Sequence, residues 1–240
     1  MRLYCHEHPE TLTLESEVAD ARPGAIALAD SPFYPGGGGQ PGDRGVIRWE
    51  GGEAAVTGFE YEGGRLWHLI EGNALAKGRA LAAVDPDFRR LMRQLHTGTH
   101  ILNALVFQAF DGALVTGVQM SGDGSARMDF DLPGADNEKL RALEAPINDA
   151  IRQDIALNFV YVPLADAEAQ HGLIRSRSVA PPPTPDGLIR IVEIVGLDRQ
   201  ACGGTHLAST GASPPLRILK IDNKGRHNRR VRIALAGNAG

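Results

Sequence analysis

Two residue pairs in this chain have the types and spacing for metal chemistry. His96 and His100 are four apart in Leu95-His96-Thr97-Gly98-Thr99-His100. On a helix they project from one face, one turn above the other, so two imidazoles can grip one ion. About a hundred residues later, Cys202-Gly203-Gly204-Thr205-His206 offers a thiolate and a third imidazole on a glycine-rich turn. Imidazole and thiolate suit zinc, which prefers tetrahedral geometry. A rigid helix giving two ligands and a bendable turn giving two more make metal binding the preferred reading. Taken singly, Cys202 reads as a small buried hydrophobe and His206 as a loop histidine. The remaining histidines are weaker: His6 and His8 near the terminus, His68 in a strand, His171 near a helix end and His227 in a hairpin loop.

The helix carrying the first pair is well marked. Asp85-Pro86 gives a cap and a proline suited to the first helical position. Apolar residues recur at Phe88, Leu91, Leu95, Leu102, Leu105, Val106 and Ala109, and Gly112 lies just past the end. Before it, short strands are predicted at Leu12–Glu15, Ala25–Asp30, Gly45–Trp49, Ala54–Tyr61 and Arg65–Ile70, separated by Gly-containing turns. Strands at this spacing predict a small barrel. Between the second and third lies Phe33-Tyr34-Pro35, four glycines and Gln40-Pro41-Gly42-Asp43, read as a shaped, ligand-facing loop.

After the metal helix, strands are predicted at Leu114–Met120, Ala126–Asp131, Ile155–Val162 and Leu188–Val195. A helix is predicted over Asn137–Asp154, kinked or divided by Pro146, and a short one over Ala165–His171. Pro181–Pro185 reads as a stiff loop without an assigned role. A hairpin, Leu216–Asp222 with Arg229–Leu235, closes the chain. The pattern has no regular β-α-β alternation. The expected class is α+β, a β-barrel-like domain over residues 1–84 followed by a domain over 85–240 with a mainly antiparallel sheet.

Composition sets the limits. With 240 residues, 42% hydrophobic and 22% charged, the chain is an ordinary globular protein with ample core. No apolar run approaches the roughly 18 residues that span a membrane, and the start carries no basic segment followed by an apolar core. Two cysteines, Cys5 and Cys202, argue for a reducing, cytoplasmic setting. The net charge is −4, yet Leu216–Leu235 holds seven basic residues against Asp222 alone, and Arg89, Arg90 and Arg93 form a second cluster. Such patches attract phosphates; otherwise they are solvated surface.

Three ordered motifs resemble a known family: Phe33-Tyr34-Pro35 with Gly37–Gly45, then His96-Thr97-Gly98-Thr99-His100, then Cys202-Gly203-Gly204-Thr205-His206. Together they are similar to the editing domain of alanyl-tRNA synthetase and, more closely, to the freestanding AlaX editing proteins of medium length, over residues 30–235. The resemblance implies a cytoplasmic, ATP-independent deacylase that hydrolyses serine or glycine from wrongly charged tRNA(Ala). It implies Zn2+ held by His96, His100, Cys202 and His206. It implies an aminoacyl pocket of Gln119 with Thr97 and Thr99, and substrate contacts from Gly37, Gly38, Gly39, Gln40 and Arg127. The basic hairpin, with Lys224, Arg226, Arg230 and Arg232, then reads as the acceptor-stem contact. In an ordinary strand Arg230 and Arg232 share one face, with Val231, Ile233 and Leu235 on the other. Four protein ligands would close a tetrahedral site, whereas a hydrolytic zinc keeps a place for water. A non-catalytic RNA-binding protein with a structural zinc is therefore the alternative, and a hydrolase of small esters a further one.

Overall fold

A computed structural model describes residues 2–73, 75–170, 172–175, 182–225 and 227–237. Arg226, His171 and Pro181 lie outside these. The chain divides into two compact units: residues 1–36 with 41–90, and residues 37–40 with 91–240.

The first unit begins with a short helix, α1 (Tyr4–Glu7), and continues as six strands: β1 (Thr13–Arg22), β2 (Ala25–Leu28), β3 (Gly45–Trp49), β4 (Gly52–Glu62), β5 (Arg65–Ile70) and β6 (Arg79–Val84). They close into an antiparallel barrel in the order β1-β2-β5-β4-β3-β6. Closure leaves no free edge. Ile26, Phe33, Ile47, Val56, Ile70 and Ala82 fill the interior. β3 and β5 have the predicted bounds; α1 and β6 were not foreseen, β6 because Arg79–Val84 is half alanine and weak in strand signals.

Arg89 and Asp43 form a buried ion pair in this unit, with side-chain exposures of 1% and 0%. Arg89 also donates to Pro32 O at 2.7 Å, and Asp43 accepts from Tyr34 N at 2.6 Å. The pair pins the residues on either side of the glycine run. Arg89 is thus spent inside the protein, and Arg90 pairs with Asp87. The expected basic cluster at the helix start loses its first member to the interior.

The metal helix is α2 (Pro86–Ala109). Asp85 caps it, its carboxylate accepting from the N–H groups of Asp87 and Phe88 at 3.0 and 3.1 Å. The second unit continues with β7 (Val115–Met120), β8 (Ser125–Asp131), α3 (Asn137–Arg141), α4 (Glu144–Arg152), β9 (Leu157–Pro163), α5 (Leu164–Ala169), β10 (Leu188–Ile194), β11 (Asp198–Ala201), β12 (Leu216–Lys224) and β13 (Asn228–Leu235). Two antiparallel sheets result, β12-β13-β8-β7 and β11-β10-β9. The helix predicted over 137–154 does divide, but at Ala142–Leu143 rather than at Pro146. Proline lacks only an N–H that the first turn would leave unpaired, so Pro146 sits comfortably in the first turn of α4. The four-residue strand β11, which delivers the chain to Cys202, was missed.

Candidate metal centre

The second unit brings His96, His100, Cys202 and His206 together, all buried, with one ligand atom from each within 4.8 Å of the others. Cys202 Sγ lies 3.4 Å from His96 Nε2 and 3.3 Å from His206 Nε2. Tetrahedral bonds of roughly 2.0–2.3 Å would set ligand atoms about 3.3–3.6 Å apart, so the four residues fit a zinc ion.

Each imidazole has an outer partner. Gln40 Oε1 accepts from His96 Nδ1 at 2.8 Å and from the Thr205 N–H at 3.0 Å, while Gln40 Nε2 donates to Thr205 Oγ1 at 2.9 Å. His96 must therefore carry its proton on Nδ1, leaving Nε2 toward Cys202. Asp198 Oδ2 accepts from His100 Nδ1 at 3.2 Å, and Thr97 Oγ1 is 3.3 Å from His206 Nδ1. Arg190, on β10, clamps the Cys202 turn by donating from Nη1 to the carbonyls of Cys202 and Gly204 at 2.9 and 3.0 Å. Gly204 is required there because a Cβ would run into the His96 ring and Gln40 Oε1.

The charges favour a cation. Burial pushes the Cys202 thiol up, but the three surrounding histidines outweigh it and hold the thiol well below its ordinary value. Burial pulls His100 down, while the Cys202 thiolate and Asp198 raise it, with a net rise to about 9. Burial and His96 pull His206 well below its ordinary value. A metal ion bound here would compete with protons for the same imidazole and thiol groups.

The tip of the glycine run is a tight turn with reciprocal backbone bonds between Gly37 and Gln40 at 2.9 and 3.0 Å. Gly39 has φ +82°, and a Cβ there would collide with Val118. Its carbonyl accepts from the Met120 N–H at 2.8 Å. One turn thus links β7 to the metal ligands.

Residues 189–232 match the family described as Threonyl and Alanyl tRNA synthetase second additional domain. The alanyl-tRNA editing protein AlaX-M of Saccharolobus solfataricus is 35% identical over 210 residues, 86% of this chain and 86% of that protein. This chain belongs to the AlaX-M family. The AlaX-M protein of Methanosarcina acetivorans is 36% identical, covering 88% of each chain. The alanine–tRNA ligase of Korarchaeum cryptofilum is 32% identical across 90% of this chain, which spans 24% of that ligase.

In this AlaX-M chain the other expected site residues are placed unevenly. Gln40 is 2% exposed and its side chain is occupied by His96 and Thr205. Gly37 and Gly38 are exposed. Thr97 is buried against His206 and Leu207 N, and the Thr99 hydroxyl donates to His96 O in its own helix at 2.7 Å. Gln119 is exposed on β7 and accepts from Arg127 Nε at 3.0 Å. Strand register sets Gln119, Arg127, Arg232 and Lys220 in one row across the four-stranded sheet.

Val231, Ile233 and Leu235 are buried and Arg232 is exposed, as the alternation predicts. Arg230 departs from that expectation. Its guanidinium is held by both oxygens of Asp129 at 2.6 and 2.7 Å and is 17% exposed. Arg229, on the apolar side of the strand, is buried. Lys224 is exposed.

Sequence reasoning missed Asp198 and Arg190. Asp198-Arg199-Gln200-Ala201 shows no apolar alternation in sequence; that Asp198 and Gln200 turn inward in β11, just before Cys202, appears only in the fold. Among the described residues no helix is long and apolar enough to cross a membrane.

Proposed function

We propose that this protein is a trans-editing deacylase, hydrolysing the ester that joins serine or glycine wrongly to the 3′ end of tRNA(Ala). The observation that carries this reading is the convergence of three imidazoles and one thiol in a chain whose relatives are named alanyl-tRNA editing proteins. Water adds to the ester carbonyl, the bond to the terminal ribose oxygen breaks, and the free amino acid and intact tRNA leave. His96, His100, Cys202 and His206 would hold Zn2+, which when bound supplies Lewis acidity and a fixed positive charge beside the ester.

The chain's own groups supply position. The Gly37–Gln40 turn ties β7 to His96, and Gly37 and Gly38 offer backbone at its surface. Gln119 is assigned to the aminoacyl pocket, where a group that bonds the serine hydroxyl rejects alanine by leaving polar atoms unpaired. The buried Thr97 and Thr99 hydroxyls, bonded to Leu207 N and His96 O, support the metal helix instead. The cross-strand row of Arg127, Arg232 and Lys220, with Lys224 nearby, suits acceptor-stem phosphates, contacts that orient without reading sequence.

The deciding experiment incubates the zinc-loaded protein with tRNA(Ala) carrying serine, glycine or alanine. Release of serine or glycine with alanine retained is expected. Binding of tRNA without release of any amino acid would favour the RNA-binding alternative, which the closed four-ligand set supports.

A further inference from the structure

We propose that Asp198 is a positioning residue for the metal centre, fixing His100 with its proton on Nδ1 so that Nε2 is the atom turned toward Cys202. The inference rests on the reading of the four-residue cluster as a metal site.

The Asp198 side chain is fully buried and meets three donors. Arg175 Nη1 binds Oδ1 at 2.7 Å. Gln200 Nε2 and His100 Nδ1 bind Oδ2 at 2.7 and 3.2 Å. The orientation of Gln200 is itself set, because its Oε1 accepts from Asn103 Nδ2 at 2.9 Å. Arg175 lies over the Phe107 ring, 4.2 Å from its centre. One stripe of α2, His100, Asn103 and Phe107, therefore faces the two inward polar residues of β11 and the arginine beyond them.

A carboxylate without partners would be costly here, and Arg175 offsets its charge. That pairing alone would satisfy folding. The third donor is a ligand histidine, and this gives the network a consequence at the metal. A carboxylate accepting from Nδ1–H fixes the tautomer, holds the ring plane and makes Nε2 a stronger donor; loss of such a partner weakens metal binding by about 10–100-fold. Among the described residues, His96 and His206 meet the neutral side chains of Gln40 and Thr97. Asp198 thus makes His100 the anchoring ligand.

The test uses the full chain. Asp198→Asn keeps the volume and removes the charge. Its zinc affinity, read by competition with a chelator, is expected to fall about 10–100-fold. The cobalt-loaded variant should keep the Cys202 thiolate charge-transfer band while its ligand-field bands shift. Long-range proton–nitrogen NMR of the zinc-loaded wild type should show His100 protonated at Nδ1. That measurement decides the matter even where the variant fails to fold. A His100 protonated at Nε2, or a folded variant with wild-type zinc affinity and an unchanged cobalt spectrum, would overturn the inference alone. A wild-type chain that takes up no zinc would overturn the metal centre as well.

Discussion

Gln40 Oε1 and His96 Nδ1 are 2.8 Å apart although 56 residues separate them in sequence. The same oxygen receives the Thr205 N–H. One amide therefore orients a ligand on the helix and secures the turn that carries the other two. Gln40→Ala should weaken zinc binding by about 10–100-fold, with a smaller loss for Gln40→Glu, which keeps the acceptor. Chelator competition on both variants measures this. Wild-type affinity in Gln40→Ala would instead leave Gln40 to the substrate.

Gly204 has no room for a methyl group, since His96 and Gln40 occupy the space. Gly204→Ala should cost about 1–3 kcal/mol of stability by overpacking and lower the zinc bound per chain. Elemental analysis beside a denaturation curve tests the pairing of the two effects. Full zinc content in a stable variant would count against the tight turn.

The Arg89–Asp43 pair is buried on both sides. Arg89→Met leaves the carboxylate without its cation and should destabilise the protein by about 3–5 kcal/mol. Urea unfolding reads the loss. A change below about 1 kcal/mol would mean that water reaches the site and the pair behaves as a surface contact.

His68 is buried in the barrel unit, with Nε2 2.6 Å from Ser31 Oγ and Nδ1 3.0 Å from Ile26 O. Burial lowers its pKa to about 4, against a smaller upward effect of the Ile26 carbonyl. The unfolded chain takes up this proton near pH 6.5 while the folded chain resists until about pH 4. The contribution is present above pH 6.5 and is lost as pH falls to 4, on the order of 3 kcal/mol in all. His68→Gln should flatten that part of the stability profile relative to wild type. Parallel profiles for the two proteins would show that His68 does not titrate in this range.

On the four-stranded sheet, Arg232 is 47% exposed and pairs with Asp222 at 3.6 Å, whereas Arg230 is 17% exposed and held by both oxygens of Asp129. Replacing Arg232 and Lys224 by Gln should weaken binding of cognate and non-cognate tRNA alike. The logarithmic salt slope should flatten by about one unit per lost phosphate contact. Arg230→Gln should lower the melting temperature while leaving a slope closer to wild type. If the double variant keeps the wild-type slope, the phosphates lie elsewhere.

Local patterns carried the elements and the ligands. Helix period and the Asp85-Pro86 cap located α2, strand alternation located most of the barrel, and the spacing within 96–100 and 202–206 marked the four residues that the fold brings together. These signals depend on neighbours within a turn or two of backbone, so one sequence displays them. β6 is half alanine and weak in strand signals, and β11, with four residues, is too short to show a period.

The fate of charged and polar side chains was decided by tertiary structure alone. Counting basic residues from Leu216 to Leu235 treated Arg229, Arg230 and Arg232 alike, yet one is buried, one is bound to Asp129 and one is exposed beside Asp222. Arg89 looked like surface charge until Asp43 was found beside it. Asp198 drew no reading from the sequence, and only the fold sets it against His100, 98 residues away. A buried polar group must find a partner, and the partner's identity depends on which distant strands and helices the core brings within about 3 Å. Sequence fixes the groups available for such pairing; only the folded chain selects among them.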